Sequence, residues 1–230
     1  MLFNQVAKGR FSAIAASSNP CDNIRRNKEH SRDRFLQSDE LTAFFTALSE
    51  EPNHTIRDYV WLSLFSGARR DNVLSMKWTE VNLTEGTWRI PMTKNGTPQI
   101  IPLPAAAIEL LKERRTIFDN TAVFVFPGSG ITGHLVEPKK AWAKILQRAN
   151  IADLRLHDLR RTMGSWQAKT GASLVVIGKS LNHKSTQTTA IYARLDMDPV
   201  RDSMNTATNA MLKAGGMGKK GEPEDVIKVG

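Results

Sequence analysis

Two histidines, an arginine and a tyrosine fall close together in residues 156–194. His157-Asp158-Leu159-Arg160 opens the stretch, Leu181-Asn182-His183-Lys184 follows, and Ala190-Ile191-Tyr192-Ala193-Arg194 closes it. A phenol becomes a nucleophile when a base takes its proton, an imidazole exchanges protons near neutral pH, and a guanidinium stays charged. The combination suits an anionic substrate attacked by a phenol, and a phosphodiester is such a substrate. Taken singly, each residue has an ordinary explanation. His157 could be a helix-end histidine satisfied by backbone, Arg160 the partner of Asp158 or Asp153 in a surface pair, His183 a C-terminal cap, and Tyr192 half buried with a wet hydroxyl. Their occurrence together points to a site. No clustered carboxylates suggest two-metal catalysis, and the chemistry requires neither a metal nor a cofactor.

The local pattern predicts the elements that hold these groups. Leu156, Leu159, Met163 and Trp166 recur as an apolar helix stripe, so His157, Arg160 and Gly164, at i, i+3 and i+7, share a different, polar face. Gly164 leaves a bare spot there for another backbone or a ligand. Gly171 ends this helix, Ser173 caps the next, and Leu174, Ile177 and Leu181 form its inward stripe, delivering His183 just past its end. Ser185 or Thr186 caps a third helix, with Tyr192 nearly two turns in.

A chain of 230 residues can bury one good core, and 40% hydrophobic with 24% charged residues is an ordinary globular composition. No apolar run approaches the roughly 18 residues of a membrane span, and residues 1–20 lack the apolar stretch of a signal peptide. The net charge of +9 suits a polyanionic partner, although many proteins are basic without touching nucleic acid. The single cysteine, Cys21, excludes an intramolecular disulfide, argues against a structural zinc site and fits a reducing compartment.

Along the chain, residues 1–19 could form one helix ended by Asn19-Pro20, and residues 23–34 read as a basic linker able to follow a phosphate backbone. Ser38 caps a helix with Leu41, Phe44, Phe45 and Leu48 on one face. Residues 56–65 are apolar nearly all round, a central buried helix ended by Gly67, and Tyr59 within it is expected to serve the core. Arg69 and Arg70 follow at once; by position alone they complement the dipole of that helix. Residues 78–83, 87–91 and 99–103 read as three short strands, the first pair turning at Glu85-Gly86 and the second at Asn95-Gly96, beside which Lys94 stands. Pro104 opens a helix with Ala107, Ile108, Leu111 and Phe118 inward, and residues 123–126 form a short apolar strand or extended piece. Pro138 opens another helix, with Trp142, Ile145, Leu146 and Ala149 inward, after a loop that holds His134. Residues 199–212 form a last helix, and the tail beyond Gly215-Gly216 reads as flexible.

With Ser66-Gly67-Ala68-Arg69, Thr93-Lys94-Asn95-Gly96, His157-x-x-Arg160, Leu181-Asn182-His183 and Tyr192 in this order, the chain resembles the catalytic domain of a tyrosine recombinase of the phage-integrase family. The resemblance covers residues 35–204. It implies an α+β fold, mainly helical, with a small antiparallel three-stranded sheet at one edge. It also implies a division into the end of a core-binding domain with its basic linker (1–34), the catalytic domain (35–213) and a flexible tail (214–230). The implied reaction cuts and rejoins DNA through a 3′-phosphotyrosine on Tyr192. His157 takes the phenol proton, Arg69 and Arg160 clamp the phosphate, Lys94 protonates the leaving oxygen, and His183 donates a further hydrogen bond. The implied partners are double-stranded DNA at attachment sites and other protomers, four in the synaptic complex, with no membrane, in the bacterial cytoplasm at the nucleoid. The alternatives are a type IB topoisomerase and a non-catalytic DNA-binding regulator on the same fold. Three positions depart from the family pattern: Asn72 stands where many members carry an acidic residue, Asn182 replaces a common Gly, and Arg194 a frequent His. The first bears on how Arg69 or a histidine is oriented.

Overall fold

The computed structural model of the chain describes residues 32–91, 96, 98–117, 121–183, 185–192 and 198–214. The chain divides into two units, Met1–Arg32 and Asp33–Gly230. The helix expected over residues 1–19, most of the basic run, Lys94, Phe118, Arg194 and the tail lie outside the described residues.

Nine residues, Leu41–Ser49, form α1, with Phe44 and Leu48 buried and Leu41 and Phe45 packed against the core. Ser38 does not cap it. The N-cap is Glu40, whose carboxylate accepts the Gln37 N–H and pairs with Arg34, while the Ser38 hydroxyl accepts from Lys169 Nζ at 2.9 Å. Arg34, the end of the expected linker, is thereby fixed to the folded unit.

Helix α2 (His54–Ser66) is capped by the Asn53 side chain, which accepts from the Ile56 N–H, and it ends at Gly67 with φ +57°. Its Tyr59, Val60, Leu62 and Leu64 are buried, so it is the central helix that its apolar composition predicts. Tyr59 serves the core as expected; burial pushes its phenol up to about 12.

After the short α3 (Arg70–Leu74), Trp78–Glu80 is a single 3-10 turn rather than strand, because the Glu80 carboxylate reaches back to the Lys77 N–H. The sheet is therefore β1 (Val81–Asn82), β2 (Thr87–Ile90) and β3 (Gln99–Pro102), antiparallel in that order, with Trp88 opposite both Val81 and Ile101. Trp88, Ile90 and Ile101 face inward, one side of a half-buried sheet. Residues 123–126 remain an extended piece. The Val125 N–H donates to Met76 O at 2.8 Å, and among the described residues the pairing of this piece is an isolated bridge, Lys77 to Phe124.

Helix α4 (Ala105–Ile117) buries Ala107 and Leu111, and α5 (Lys139–Arg148) buries Trp142 and Ile145. The remaining helices are α6 (Asp158–Lys169), α7 (Leu174–Ser180), α8 (Thr186–Thr189) and α9 (Asp198–Ala214). Helix α2 packs against α4 and α6. The Leu36 backbone locks onto α6, its N–H donating to Thr162 and its carbonyl accepting from Trp166 Nε1. Among the described residues no helix is long and apolar enough to cross a membrane.

Candidate active site

The first piece is α6. Leu156 and Leu159 are buried, and Met163 and Trp166 are partly so, which turns Arg160 and Gly164 toward α7 and Tyr192. His157 is the N-cap residue, exposed at the lip. Asp158 does not pair with Arg160. Its carboxylate is fully buried, accepts the Arg155 N–H, and takes Arg161 at 2.6 Å. Arg160, 6% exposed, donates instead to two carbonyls: Nη1 to Gly67 O at 2.8 Å and Nη2 to Leu181 O.

Those carbonyls come from two helix ends. Helix α7 begins at Ser173, whose hydroxyl accepts from the Val176 N–H as expected. It closes with Asn182 N–H donating to Lys179 O and His183 N–H to Gly178 O, the paired bonds of a Schellman cap. Such a cap needs a left-handed residue, and Asn182, at φ +51°, supplies it where Gly is common; Asn tolerates that conformation. The turn aims successive carbonyls at the two guanidiniums: Leu181 O accepts from Arg160, and Asn182 O from Arg69 Nη2 at 3.2 Å. Gly67, the left-handed residue ending α2, aims its carbonyl at Arg160 in the same way. Ile177 and Leu181 are buried as the stripe predicts, but Leu174 is 39% exposed.

Tyr192 lies elsewhere than expected. Helix α8 has four residues, and Tyr192 follows three residues after it, not two turns inside a helix. The tyrosine is 2% exposed, packed with Ile177 and Leu181, its ring parallel to that of His183 at 6.2 Å between centroids. A Cβ on Gly164 would stand 2.5 Å from Tyr192 Cζ and 2.9 Å from a Leu181 methyl. The bare spot is thus where the tyrosine ring lies.

The electrostatics follow from burial and the two cations. Desolvation holds His183 down at about 4, with Arg160, Arg69 and His157 adding to the effect. His157 is lowered too, by desolvation first and then by Arg161 and Arg160. Burial raises the Tyr192 phenol, while Arg160 and Arg161 act against that rise. Desolvation and Arg69 bring Arg160 down to about 10, which leaves it charged at neutral pH. Arg69, Arg160, His157, His183 and Tyr192 therefore share one electrostatic neighbourhood. Lys94 lies outside the described residues.

Among those residues, neither Arg69 nor Arg160 forms an ion pair, and Arg69 Nη1 is buried without a hydrogen-bond partner. No group of three or more His, Cys, Asp or Glu there could hold a metal ion. Asn72 meets the site only through its backbone, its N–H donating to Arg69 O at 3.0 Å. Its buried Nδ2 has no partner, and it lines a separate cavity of about 490 Å³ with Lys77, Glu80 and His134. Sequence reasoning missed Thr189, whose buried hydroxyl lies 3.0 Å from His183 Nδ1. A threonine in a polar run carries no periodic signal that would single it out.

Residues 34–198 match the model of the phage integrase family. The chain belongs to that family. Prophage integrase IntF of Escherichia coli (strain K12) is 28% identical over 173 residues, 74% of this chain and 37% of that protein. The shufflon-specific DNA recombinase of Escherichia coli is 30% identical over 183 residues, 77% of this chain and 44% of the relative. This phage integrase family chain thus matches less than half the length of either. The Tn1549 transposon integrase, solved in complex with circular intermediate DNA, superposes with a TM-score of 0.65 at 14% identity, covering 89% of this chain and 76% of that one. That likeness bears on the fold, which is the mainly helical α+β architecture with a three-stranded antiparallel sheet expected of the family.

Proposed function

We propose that the chain carries the catalytic domain of a site-specific DNA recombinase that cuts and rejoins duplex DNA through a 3′-phosphotyrosine on Tyr192. One observation carries the reading. Two guanidiniums, Arg160 and Arg69, sit beside a buried tyrosine with carbonyls as their acceptors, no carboxylate partner among the described residues, and a buried N–H of Arg69 unused. A cation pair held this way lacks a counter-anion, and a phosphodiester supplies one with the oxygens a guanidinium fork fits.

In the proposed step the Tyr192 oxygen attacks phosphorus. His157 accepts the phenol proton, for which its lowered pKa keeps it neutral and receptive at neutral pH. Charge gathering on the two non-bridging oxygens meets Arg69 and Arg160, and His183 donates one further hydrogen bond. The P–O5′ bond breaks, and Lys94 protonates the departing oxygen. A 5′-hydroxyl of a new partner then attacks the phosphotyrosine and the steps reverse, so no ATP is consumed. Because Tyr192 is 2% exposed, its attack on a duplex phosphate requires its segment to shift outward, and among the described residues Ile177 and Leu181 are the other buried members of the cluster it rests on.

The domain reading is part of the proposal: residues 35–213 as the catalytic unit, 1–34 as the end of a core-binding domain with its linker, and 214–230 as a tail. So are attachment-site duplexes as substrate, a tetramer of protomers in the synaptic complex, and action at the bacterial nucleoid. The test is covalent trapping on nicked duplexes from candidate attachment sites, with mapping of the modified residue. The expected adduct is on Tyr192 and is absent from Tyr192→Phe, which still binds the duplex. An adduct that persists in Tyr192→Phe refutes the assignment. Supercoil relaxation without paired sites would favour a topoisomerase, and duplex binding with no cleavage a regulator.

A further inference from the structure

We propose that Thr189 is a positioning residue: its hydroxyl donates to His183 Nδ1 and holds the imidazole as the neutral tautomer with its proton on Nε2. The catalytic consequence rests on the recombinase reading above. The arrangement itself does not.

The argument starts from the threonine. Thr189 is 2% exposed, and its Oγ1 lies 3.0 Å from His183 Nδ1, the one hydrogen-bond partner its hydroxyl has among the described residues. A hydroxyl carries one proton. If Oγ1 accepted from a protonated Nδ1, that proton would be buried with no acceptor, whereas donation to a bare Nδ1 satisfies both groups. The remaining choice, a doubly protonated ring, is opposed by desolvation and by the charges of Arg160 and Arg69. A neutral ring with Nδ1 bare carries its proton on Nε2.

Backbone geometry keeps the pair together. His183 N–H donates to Gly178 O, and the Schellman turn at Asn182 fixes where the ring starts. Gly178 also makes room for the threonine: a Cβ there would stand 3.1 Å from Thr189 Oγ1 and 3.9 Å from its Cγ2. For the proposed reaction this matters because Arg69 and Arg160 already place two positive charges in a partly dry site. A third cation would be costly, but a neutral N–H donor whose direction is set beforehand serves an anionic oxygen without it. Thr189 also precedes Tyr192 by three residues, so one turn of chain orients both groups.

The experiment uses the full chain labelled with ¹⁵N-histidine, His183 being assigned by the signal lost in His183→Gln. Long-range ¹H–¹⁵N spectra of the unmodified protein should show the proton on Nε2. Thr189→Val should raise the pH at which His183 titrates and mix the tautomers, and Thr189→Ser should restore both. Gly178→Ala, a favourable change for a helix, should shift His183 in the same direction as Thr189→Val by crowding the hydroxyl. On a nicked duplex that traps the unmodified protein, Thr189→Val should slow adduct formation on the order of tenfold, as loss of one positioning hydrogen bond does, with Thr189→Ser near normal. A proton on Nδ1, or a His183 titration unmoved by Thr189→Val and Gly178→Ala, overturns the proposal. If the tautomer is as stated but the unmodified protein forms no adduct on any duplex, the recombinase reading falls and the Thr189–His183 arrangement stands. Circular dichroism melts of each variant separate these outcomes from unfolding.

Discussion

Arg114 and Arg160 are both buried, and their surroundings are opposites. Arg114, 1% exposed, pairs with Asp58 at 2.9 Å, donates to Val125 O and Thr55, and lies over the Phe126 ring. Arg160 has carbonyl acceptors and a second arginine for a neighbour. The first sits in the large core built on α1, α2, α4, α5 and the sheet. The second stands beside a small cluster whose buried members are Ile177, Leu181 and Tyr192. A matched charge in a broad core belongs to folding. An unmatched one beside a thin cluster is held ready for an anion from outside, and the thin cluster lets the tyrosine move at little cost to the rest.

Substitution tests that contrast most sharply at the two arginines. Arg160→Ala should slow covalent trapping on the order of a hundredfold or more, because it removes an oxyanion donor. It should lower the urea midpoint less than the loss of Arg114 does, because relief of the charge on Arg69 offsets part of the cost of the orphaned Gly67 and Leu181 carbonyls. Arg114→Met takes away the buried partner of Asp58 Oδ2, leaving the carboxylate with the more exposed Arg57 at 3.1 Å on its other oxygen, and should cost about 3 kcal/mol in urea unfolding. Equal losses of stability in the two variants would erase the distinction.

Next in size is Gly164→Ala. The added methyl meets the Tyr192 ring and Leu181, so stability should fall by roughly 1–3 kcal/mol, as overpacking does, and trapping should fall with it because the nucleophile is displaced. Unchanged trapping would show that Tyr192 does not work from this position.

Acid should act on the small cluster before the core. His183 stays neutral in the fold down to about 4, whereas an unfolded histidine titrates near 6.5. Between these values the unfolded chain binds more protons, so stability present above about pH 6.5 is lost as the pH falls toward 4. His157, also lowered, acts with the same sign. The melting temperature should decline across that window, and less steeply in His183→Gln; parallel curves for the two proteins would sink the assignment.

The smallest effect is expected at Asn182. Asn182→Gly should change stability by no more than about 0.5 kcal/mol, since both residues accept a left-handed backbone. Asn182→Val should cost roughly 1–2 kcal/mol and weaken the carbonyl seats of both arginines. Melting curves with trapping rates would check the pair, and an Asn182→Val protein as active as the parent would mean those seats do not set the guanidiniums.

Residues read through local period were legible in the sequence. The α6 stripe, the Ser173 cap, the turn at Gly67, the buried α2 and the antiparallel order of the three strands all depend on neighbours within a few positions, where backbone geometry dictates spacing. Legibility failed where a competing contact came from farther away or from an unexpected side chain. Glu80 turned the start of the first strand into a 3-10 turn, Glu40 took the cap position expected of Ser38, and α8 stopped at Thr189, short of Tyr192. Arg114 stands among several charged residues of its helix, and partners distant in the chain, Asp58 at 56 residues and Thr55 at 59, make it part of the core.

What the sequence by itself determined is the order and type of the groups at the site and the left-handed turns beside them, because those are properties of a residue and its near neighbours. Only the tertiary structure decided who faces whom. It gave Asp158 to Arg161 and not to Arg160, brought the Gly67, Leu181 and Asn182 carbonyls onto the two guanidiniums, and set the Tyr192 ring on Gly164. The partners of Arg160 lie 93 and 21 residues away, and pairings across such separations follow from how helices pack, which no local spacing records.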